Sequence, residues 1–268
     1  MPDPVFNGTF NDTLLNNRAE LLKLLTQVAR DAGSVIMAVY ATDFTVRGKE
    51  DESPVTEADE KAEQVIVSAL RKLTPQVPVI AEEAMAAGHR ESVGDLFWLV
   101  DPLDGTREFV NRNGEFTVNI ALIENGVPVL GVVYAPVIDR MFAGASEQGA
   151  FVVEAGGQQR PVRTREVPAA GLTVVASRSH GDPQALQAFL GERTVAELRT
   201  AGSSLKICLV AAGEADLYPR FGRTMEWDIA AGDAVLRAAG GRLTDMNEQA
   251  MAYGKPGFEN PNFVVWGR

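Results

Sequence analysis

The stretch "LFWLVDPLDGTREF", residues 96–109, begins as an apolar strand and runs into two aspartates, Asp101 and Asp104, with a proline between them and Gly-Thr directly behind. A carboxylate taken out of water without a partner is costly, so two of them where burial begins need a reason. A turn accounts for one: Asp101-Pro102 would initiate it and Asp104-Gly105 would close it. It does not readily account for both. Working outward, "VPVIAEEA" (77–84) reads as a second short strand ending in Glu82 and Glu83. Two strands thus deliver acids at their C-terminal ends.

Upstream, "NRAELLKLLTQVARDAGSVIMAVYA" has aliphatic residues at helical spacing, giving a long amphipathic helix over about 14–41. A charged loop follows, and "VTEADEKAEQVIVSALRKLT" becomes a second helix. Thr56 is its N-cap, Asp59 falls at N3, and Ala62, Val65, Ile66, Ala69 and Leu73 form its buried stripe. Between 116 and 160 short apolar runs divided by turn residues predict an antiparallel meander. Beyond it the pattern alternates: strand "LTVVAS", helix "DPQALQAFLGE", helix "SSLKICLVAAG", strand "ADLYPR", helix "WDIAAGDAVLRAAGG", and final strands "RLTDM" and "NFVVWG". No repeat or obvious linker interrupts the chain. The expectation is one catalytic unit over 1–268, with subdomains of approximately 1–160 and 161–268, built as layers of helices and mixed sheets.

The 268 residues carry a formal net charge of −11, which disfavours nucleic acid or an anionic membrane surface as the main partner. No run approaches the ~18 apolar residues of a membrane span. The single cysteine, Cys208, lies in the apolar stretch "LKICLVAAG" and reads as a buried structural thiol; no intramolecular disulfide can form. A cytoplasmic location is expected, with loose membrane association and oligomeric state left open. The chain has two histidines and one cysteine, which argues against a Cys/His zinc site and leaves oxygen ligands for any metal.

Each candidate acid has a plain structural explanation. Asp59 could be the acidic member of a capping box, Glu82 and Glu83 solvated residues after a strand, and Asp228 a first-turn acid favoured by the helix dipole. Together they point further, because a divalent cation would offset the repulsion among carboxylates at the ends of buried elements. Carboxylates without Cys or His select hard ions, of which Mg²⁺ is the natural choice. In the Asp-x-x-Asp turn the Leu103 carbonyl can face the same way as Asp101 and Asp104, with Pro102 fixing one φ angle. Gly105 and Thr106 would bring backbone N–H groups to a phosphate at the start of a short helix through "REFV". Thr106 beside Asp59 could orient and deprotonate a water.

At these residues the sequence resembles the magnesium-dependent, lithium-sensitive phosphatases related to inositol monophosphatase and fructose-1,6-bisphosphatase. The matching stretches are "SPVTEAD", "AEE", "WLVDPLDGT" and "WDIAAGDAVLRAAGG", in family order over nearly the whole chain. Within that superfamily, "DGTREFVNRNGEFTVNIALIENGVPVLGVVYAP" is similar to the 3'(2'),5'-bisphosphate nucleotidases of the CysQ type. The resemblance implies an α/β fold, the layered αβαβα sandwich. It implies two or three Mg²⁺ ions held by Glu82, Asp101, the Leu103 carbonyl, Asp104 and Asp228, with Gly105 and Thr106 holding phosphate and Asp59 with Thr106 activating water. Two departures are visible: Ala81 replaces the usual small Gly or Ser before the Glu pair, and Arg107 replaces a lysine common in that branch. Arg107 keeps the charge but changes the hydrogen-bond geometry, and its role stays open.

The implied substrate is adenosine 3',5'-bisphosphate, cleaved to AMP and phosphate, in keeping with a role in sulfur assimilation. Such a substrate contacts Glu82, Leu103, Asp104 and Asp228 at the metal side. For its second phosphate the resemblance offers Ser203, Lys206 and Arg220, from "GSSLK" and "LYPR", and it associates His180 in "ASRSH" with the adenine. On their own, Lys206 reads as a snorkelling helix residue, Arg220 as half of a surface ion pair, and His180 as a loop residue. Two other functions stay open. Inositol monophosphatase activity would show as faster turnover of inositol 1-phosphate, and a nucleotide-binding regulator would release no phosphate with or without Mg²⁺.

Overall fold

The computed structural model describes residues 9–48, 54–89, 92–177 and 182–268, so His180 lies outside the described residues. In chain order the elements are α1 (Thr9–Asn16), α2 (Arg18–Tyr40), β1 (Val46–Gly48), β2 (Pro54–Thr56), α3 (Glu57–Leu73), β3 (Val79–Ala81), α4 (Glu82–Ala86), β4 (Leu96–Asp104) and α5 (Thr106–Val110). The meander follows as β5 (Thr117–Glu124), β6 (Val127–Ala135), β7 (Arg140–Ala145), β8 (Gly149–Val153) and β9 (Gln159–Val162). The remainder is β10 (Leu172–Ser177), α6 (Pro183–Leu190), β11 (Val195–Ala201), α7 (Leu205–Ala211), β12 (Leu217–Arg220), β13 (Thr224–Met225), α8 (Glu226–Ala238), β14 (Arg242–Asp245), β15 (Glu259–Asn260) and β16 (Phe263–Trp266).

Two sheets dominate. The larger runs β3-β4-β5-β6-β7-β8-β9, antiparallel except for the parallel β3–β4 pair. The smaller runs β11-β10-β12-β16-β14. Alternation along β4 shows how the large sheet is buried on both faces. Trp98 and Val100 join a core with the apolar faces of α2 and α3, whereas Phe97 and Leu99 join a core with α7 and α8. The second core continues onto Tyr218, Leu243 and Val265 of the smaller sheet. That sheet's other face, with Val174, Leu217 and Val264, is covered by Leu186, Phe189 and Leu190 of α6. The layers are therefore helix, sheet, helix, sheet, helix, the αβαβα sandwich expected. Close approach of α8 to β6 requires Gly131, where an added Cβ would come within 2.8 Å of the Ala234 Cβ.

Four local expectations need correction. The first long helix breaks at Asn17, whose side chain accepts the Glu20 N–H at 3.2 Å and starts α2 afresh. Glu82 and Glu83 do not end a strand: β3 stops at Ala81 and the two acids open α4, where negative charge suits the helix start. The apolar strand before the Asp pair does not end at Asp101: β4 runs on to Asp104 and pairs with β5 on either side of a bulge between Asp101 and Asp104. Strand β11 has no counterpart in the sequence pattern, since six of its seven residues, Val195 to Thr200, are exposed and carry no buried face to alternate.

Candidate active site

The acids reach one place from four directions, and each of four aspartates spends an oxygen on a main-chain N–H. Asp59, at N3 of α3, completes the capping box: its Oδ2 accepts the Thr56 N–H at 2.8 Å and the Thr56 hydroxyl at 2.7 Å. Asp101 Oδ1 accepts the Leu103 N–H at 3.0 Å, closing the turn around Pro102. Asp104 Oδ2 accepts the Ser204 N–H at 2.5 Å, and Asp228 Oδ2, at N3 of α8, accepts the Met225 N–H at 2.8 Å. The capping and turn explanations are thus realised in the structure. They fix carboxylates in place without exhausting them, and Asp59 illustrates this: its second oxygen accepts the Thr106 hydroxyl at 3.1 Å.

Gly105, at φ +93°, turns the chain out of β4 into α5; a Cβ there would meet the Glu115 carbonyl at 3.2 Å. This conformation sets Thr106 as the first residue of α5, with its hydroxyl 3.3 Å from the Leu103 carbonyl. Beyond lies a cavity of about 280 Å³ lined by Glu82, Asp104, Gly105, Thr106 and Asp228 together with Ser203, Lys206 and Arg220. Of the expected site residues, Asp101 stands behind this wall, hydrogen-bonded to Glu82. Asp59 stands behind Thr106. Arg107, exposed, also lines the cavity.

Electrostatics set the two sides apart. Burial raises the Asp101 carboxyl well above its ordinary range, and Glu82, Asp104 and Asp228 push it further. Asp228 is raised well too, by burial and then by Asp104 and Glu82. Asp104 is pushed up to about 6 by burial, against the pull of Lys206 and the Ser204 N–H. Lys206 shifts the other way, lowered to about 8 by burial despite the attraction of Asp104. Buried acids that repel one another, with only oxygen donors among them, suit a hard divalent cation in their chemistry. Among the described residues, no three His, Cys, Asp or Glu side chains are placed so that together they could hold a metal ion.

Several residues of the site had not been singled out in the sequence. Ser204 is buried at the start of α7, and its hydroxyl donates to Asn119 Oδ1 at 2.7 Å and shares a 3.0 Å hydrogen bond with Thr117. Thr117 and Asn119 lie opposite Asp104 and Asp101 in the β4–β5 register, and the Asn119 amide donates to the Asp228 carbonyl at 3.4 Å. This buried polar network ties the acid strand to the segment that carries Lys206. Tyr218 places its ring 5.3 Å from the Lys206 ammonium, which also donates to the Ser203 carbonyl at 2.5 Å. Ser203 adopts φ +48°, an uncommon conformation for a residue with a side chain. The polar spacing "T-V-N" on a strand buried on both faces was the available signal for Thr117 and Asn119.

The layered fold and the position of the acids define a class: the chain belongs to the inositol monophosphatase family, whose sequence profile matches residues 17–266. Among its relatives, the 3'(2'),5'-bisphosphate nucleotidase CysQ of Salmonella typhimurium is 47% identical over 248 residues, covering 91% of this chain and 99% of the relative. The crystal structure of CysQ from Bacteroides thetaiotaomicron superposes with a TM-score of 0.80 at 37% identity, covering 92% of this chain and 97% of that one. An IMPase of Thermotoga maritima superposes with a TM-score of 0.75 at 29% identity, with 92% of each chain covered. No helix among the described residues is long and apolar enough to cross a membrane.

Proposed function

We propose that the protein is a Mg²⁺-dependent 3'(2'),5'-bisphosphate nucleotidase that hydrolyses adenosine 3',5'-bisphosphate to AMP and phosphate, its two halves acting as one catalytic unit. The observation that carries this reading is the meeting, in one cavity, of half-buried acids gathered around the buried Asp101 with a buried lysine and a neighbouring arginine. The names of the relatives supply the substrate class, a 3'(2'),5'-bisphosphate nucleotide. Glu82, Asp101, the Leu103 carbonyl, Asp104 and Asp228 are the groups that would hold two or three ions. Mg²⁺, when bound, supplies positive charge for the phosphoryl oxygens and lowers the pKa of a coordinated water.

The chain's own residues do the rest. The Thr106 hydroxyl donates to Asp59, so its lone pairs can accept from a water, and Asp59 takes that water's proton through Thr106. The water oxygen forms a bond to phosphorus on the side opposite the ribose oxygen. The P–O bond to the ribose breaks, and its oxygen leaves with a proton from solvent. Backbone N–H groups at Gly105 and Thr106 hold the reacting phosphate, while Ser203, Lys206 and Arg220 hold the other one, which a protein of net charge −11 must bind against its overall field. Lithium inhibition and a role in sulfur assimilation follow from the same reading.

Phosphate release from adenosine 3',5'-bisphosphate, inositol 1-phosphate and fructose 1,6-bisphosphate, each with Mg²⁺ or EDTA, tests it. The bisphosphate nucleotide should be turned over fastest, only with Mg²⁺, and Li⁺ should inhibit far below any effective Na⁺ or K⁺ concentration. Faster turnover of inositol 1-phosphate would transfer the assignment to inositol monophosphatase. No release from any substrate would leave a nucleotide-binding regulator.

A further inference from the structure

Helix α4 consists of five residues, Glu82–Ala86, too few to be stable alone. Its N-cap position is Ala81, which offers no side-chain acceptor. The N–H groups of its first turn would be orphans, yet two of them are satisfied from a different element. Glu63, on α3, accepts the Glu83 N–H at 2.7 Å on one carboxylate oxygen and the Ala84 N–H at 3.0 Å on the other. Glu63 lies four residues after Asp59, hence one turn further along the same face of α3. One rigid helix therefore carries the Asp59 carboxylate at one end of this face and, one turn on, the clamp that holds the start of α4.

The residue at the head of α4 is Glu82, which hydrogen-bonds Asp101 and lines the cavity with Asp104 and Asp228. We infer that Glu63 is a positioning residue: by clamping the first turn of α4 it fixes where Glu82 presents its carboxylate relative to Asp59 and Asp101, and so sets the affinity of the acid cluster for divalent ions. The inference rests on the metal-dependent reading above and adds a residue to it. A clamp built from both oxygens of one carboxylate resists rotation of the short helix, which a single hydrogen bond would not. Partners that orient a metal ligand without touching the ion are worth about 10–100-fold in metal affinity.

The test compares wild type, Glu63→Gln and Glu63→Ala, with Mn²⁺ as the probe ion. Mn²⁺ binding to the substrate-free protein is read from the electron paramagnetic resonance signal of the free ion, beside turnover at limiting and saturating Mg²⁺ and thermal melting in EDTA. Glu63→Ala should weaken Mn²⁺ binding by about ten-fold or more. Glu63→Gln, which keeps one acceptor oxygen but turns an amide N–H₂ toward a backbone N–H, should show a smaller loss. In both, kcat/KM should fall further at limiting than at saturating Mg²⁺. A purely structural role would lower the melting temperature in EDTA without separating those two conditions, and that result overturns the inference. So does wild-type Mn²⁺ affinity in the Ala variant or, should that variant not fold, in the Gln variant. A wild-type protein that binds no Mn²⁺ refutes the metal-dependent reading itself and removes the inference with it.

Discussion

The two flanks of the cavity are held by opposite means. On the acid flank every aspartate is tethered through a main-chain N–H, three of them from within three residues of their own position: Thr56 to Asp59, Leu103 to Asp101, Met225 to Asp228. On the basic flank Lys206 is held by a carbonyl, an aromatic ring and burial, and Arg220 reaches the site from the end of β12. Burial drives each flank toward its neutral form, the acids by raised and the lysine by lowered proton affinity. Each flank is therefore incomplete until it meets its opposite charge: a cation for one, an anion for the other. On the proposed function, a bisphosphate bound with metal ions would supply both at once.

The largest effect expected from this contrast comes from the acids. Asp101→Asn or Asp104→Asn should abolish Mg²⁺-dependent phosphate release, by roughly a thousand-fold or more, since metal charge stabilisation is worth several kcal/mol and each ~1.4 kcal/mol is tenfold in rate. Without Mg²⁺ the melting temperature of either variant should not fall and should rise slightly, as one repelling carboxylate is gone. Near wild-type turnover in either variant would remove that acid from the metal side.

Substitutions on the basic flank should be milder and selective. Lys206→Ala and Arg220→Ala each forfeit charge-assisted hydrogen bonds of about 1.5–3 kcal/mol, or roughly a ten- to hundred-fold loss in kcat/KM for adenosine 3',5'-bisphosphate. The loss should fall mainly on KM, because the second phosphate is remote from the bond that breaks. Hydrolysis of inositol 1-phosphate should barely change. An equal decline on both substrates would show that these residues serve the metal side or the fold.

The flanks should also answer pH with opposite slopes. Asp104 has its folded value raised from 3.8 to about 6, so its contribution to stability is fully present below pH 3.8 and is lost as pH rises through about 6. Lys206 has its folded value lowered from 10.5 to about 8, so its penalty is fully present below pH 8 and is relieved as pH rises toward 10.5. The melting temperature of the metal-free protein should carry a falling component between pH 4 and 6 and a rising one between pH 8 and 10.5. Saturating Mg²⁺ should erase the first, because the ion replaces the protons. Its affinity should drop below pH 6 by up to about ten-fold per pH unit for each proton displaced. A flat metal-free profile in both windows would mean the flanks are solvated rather than buried.

What could be read from the sequence follows from how far each tether reaches. Capping boxes and Asx turns join residues two or three apart, so Thr56-Asp59 and Asp101-Pro102 were visible as local chemistry, and the apolar run of β4 and the turn-divided meander were legible as strands. A joint metal-binding role for those acids could be proposed from the sequence only because four such motifs occur together. Long-range tethers left little trace. Nothing near Glu63 indicates that it will cap a helix 20 positions away, and nothing in "GSSLK" says that Ser203 will turn outward in a left-handed conformation while Ser204 is buried. Strand β11, exposed on almost its whole length, is held by pairing with β10 rather than by a pattern of its own.

The smallest effect belongs to the network that joins the flanks. Ser204→Ala keeps the N–H that Asp104 accepts but deletes the hydroxyl that donates to Asn119 and contacts Thr117. It leaves the buried Asn119 Oδ1 without that donor, a loss of about 1–3 kcal/mol. At about 2–4 °C per kcal/mol for a chain of this size, the melting temperature should drop by roughly 2–12 °C. Because Asn119 stands opposite Asp101 and also reaches the Asp228 carbonyl, loosening it should disturb the acid flank as well as the segment bearing Lys206. Turnover should then fall only a few-fold, and equally for adenosine 3',5'-bisphosphate and inositol 1-phosphate. A loss confined to the bisphosphate would place Ser204 with the basic flank alone. Unchanged melting and unchanged turnover would mean that the flanks are held in register by the packing of α7 and α8 against the sheet, with the buried hydroxyl contributing nothing measurable.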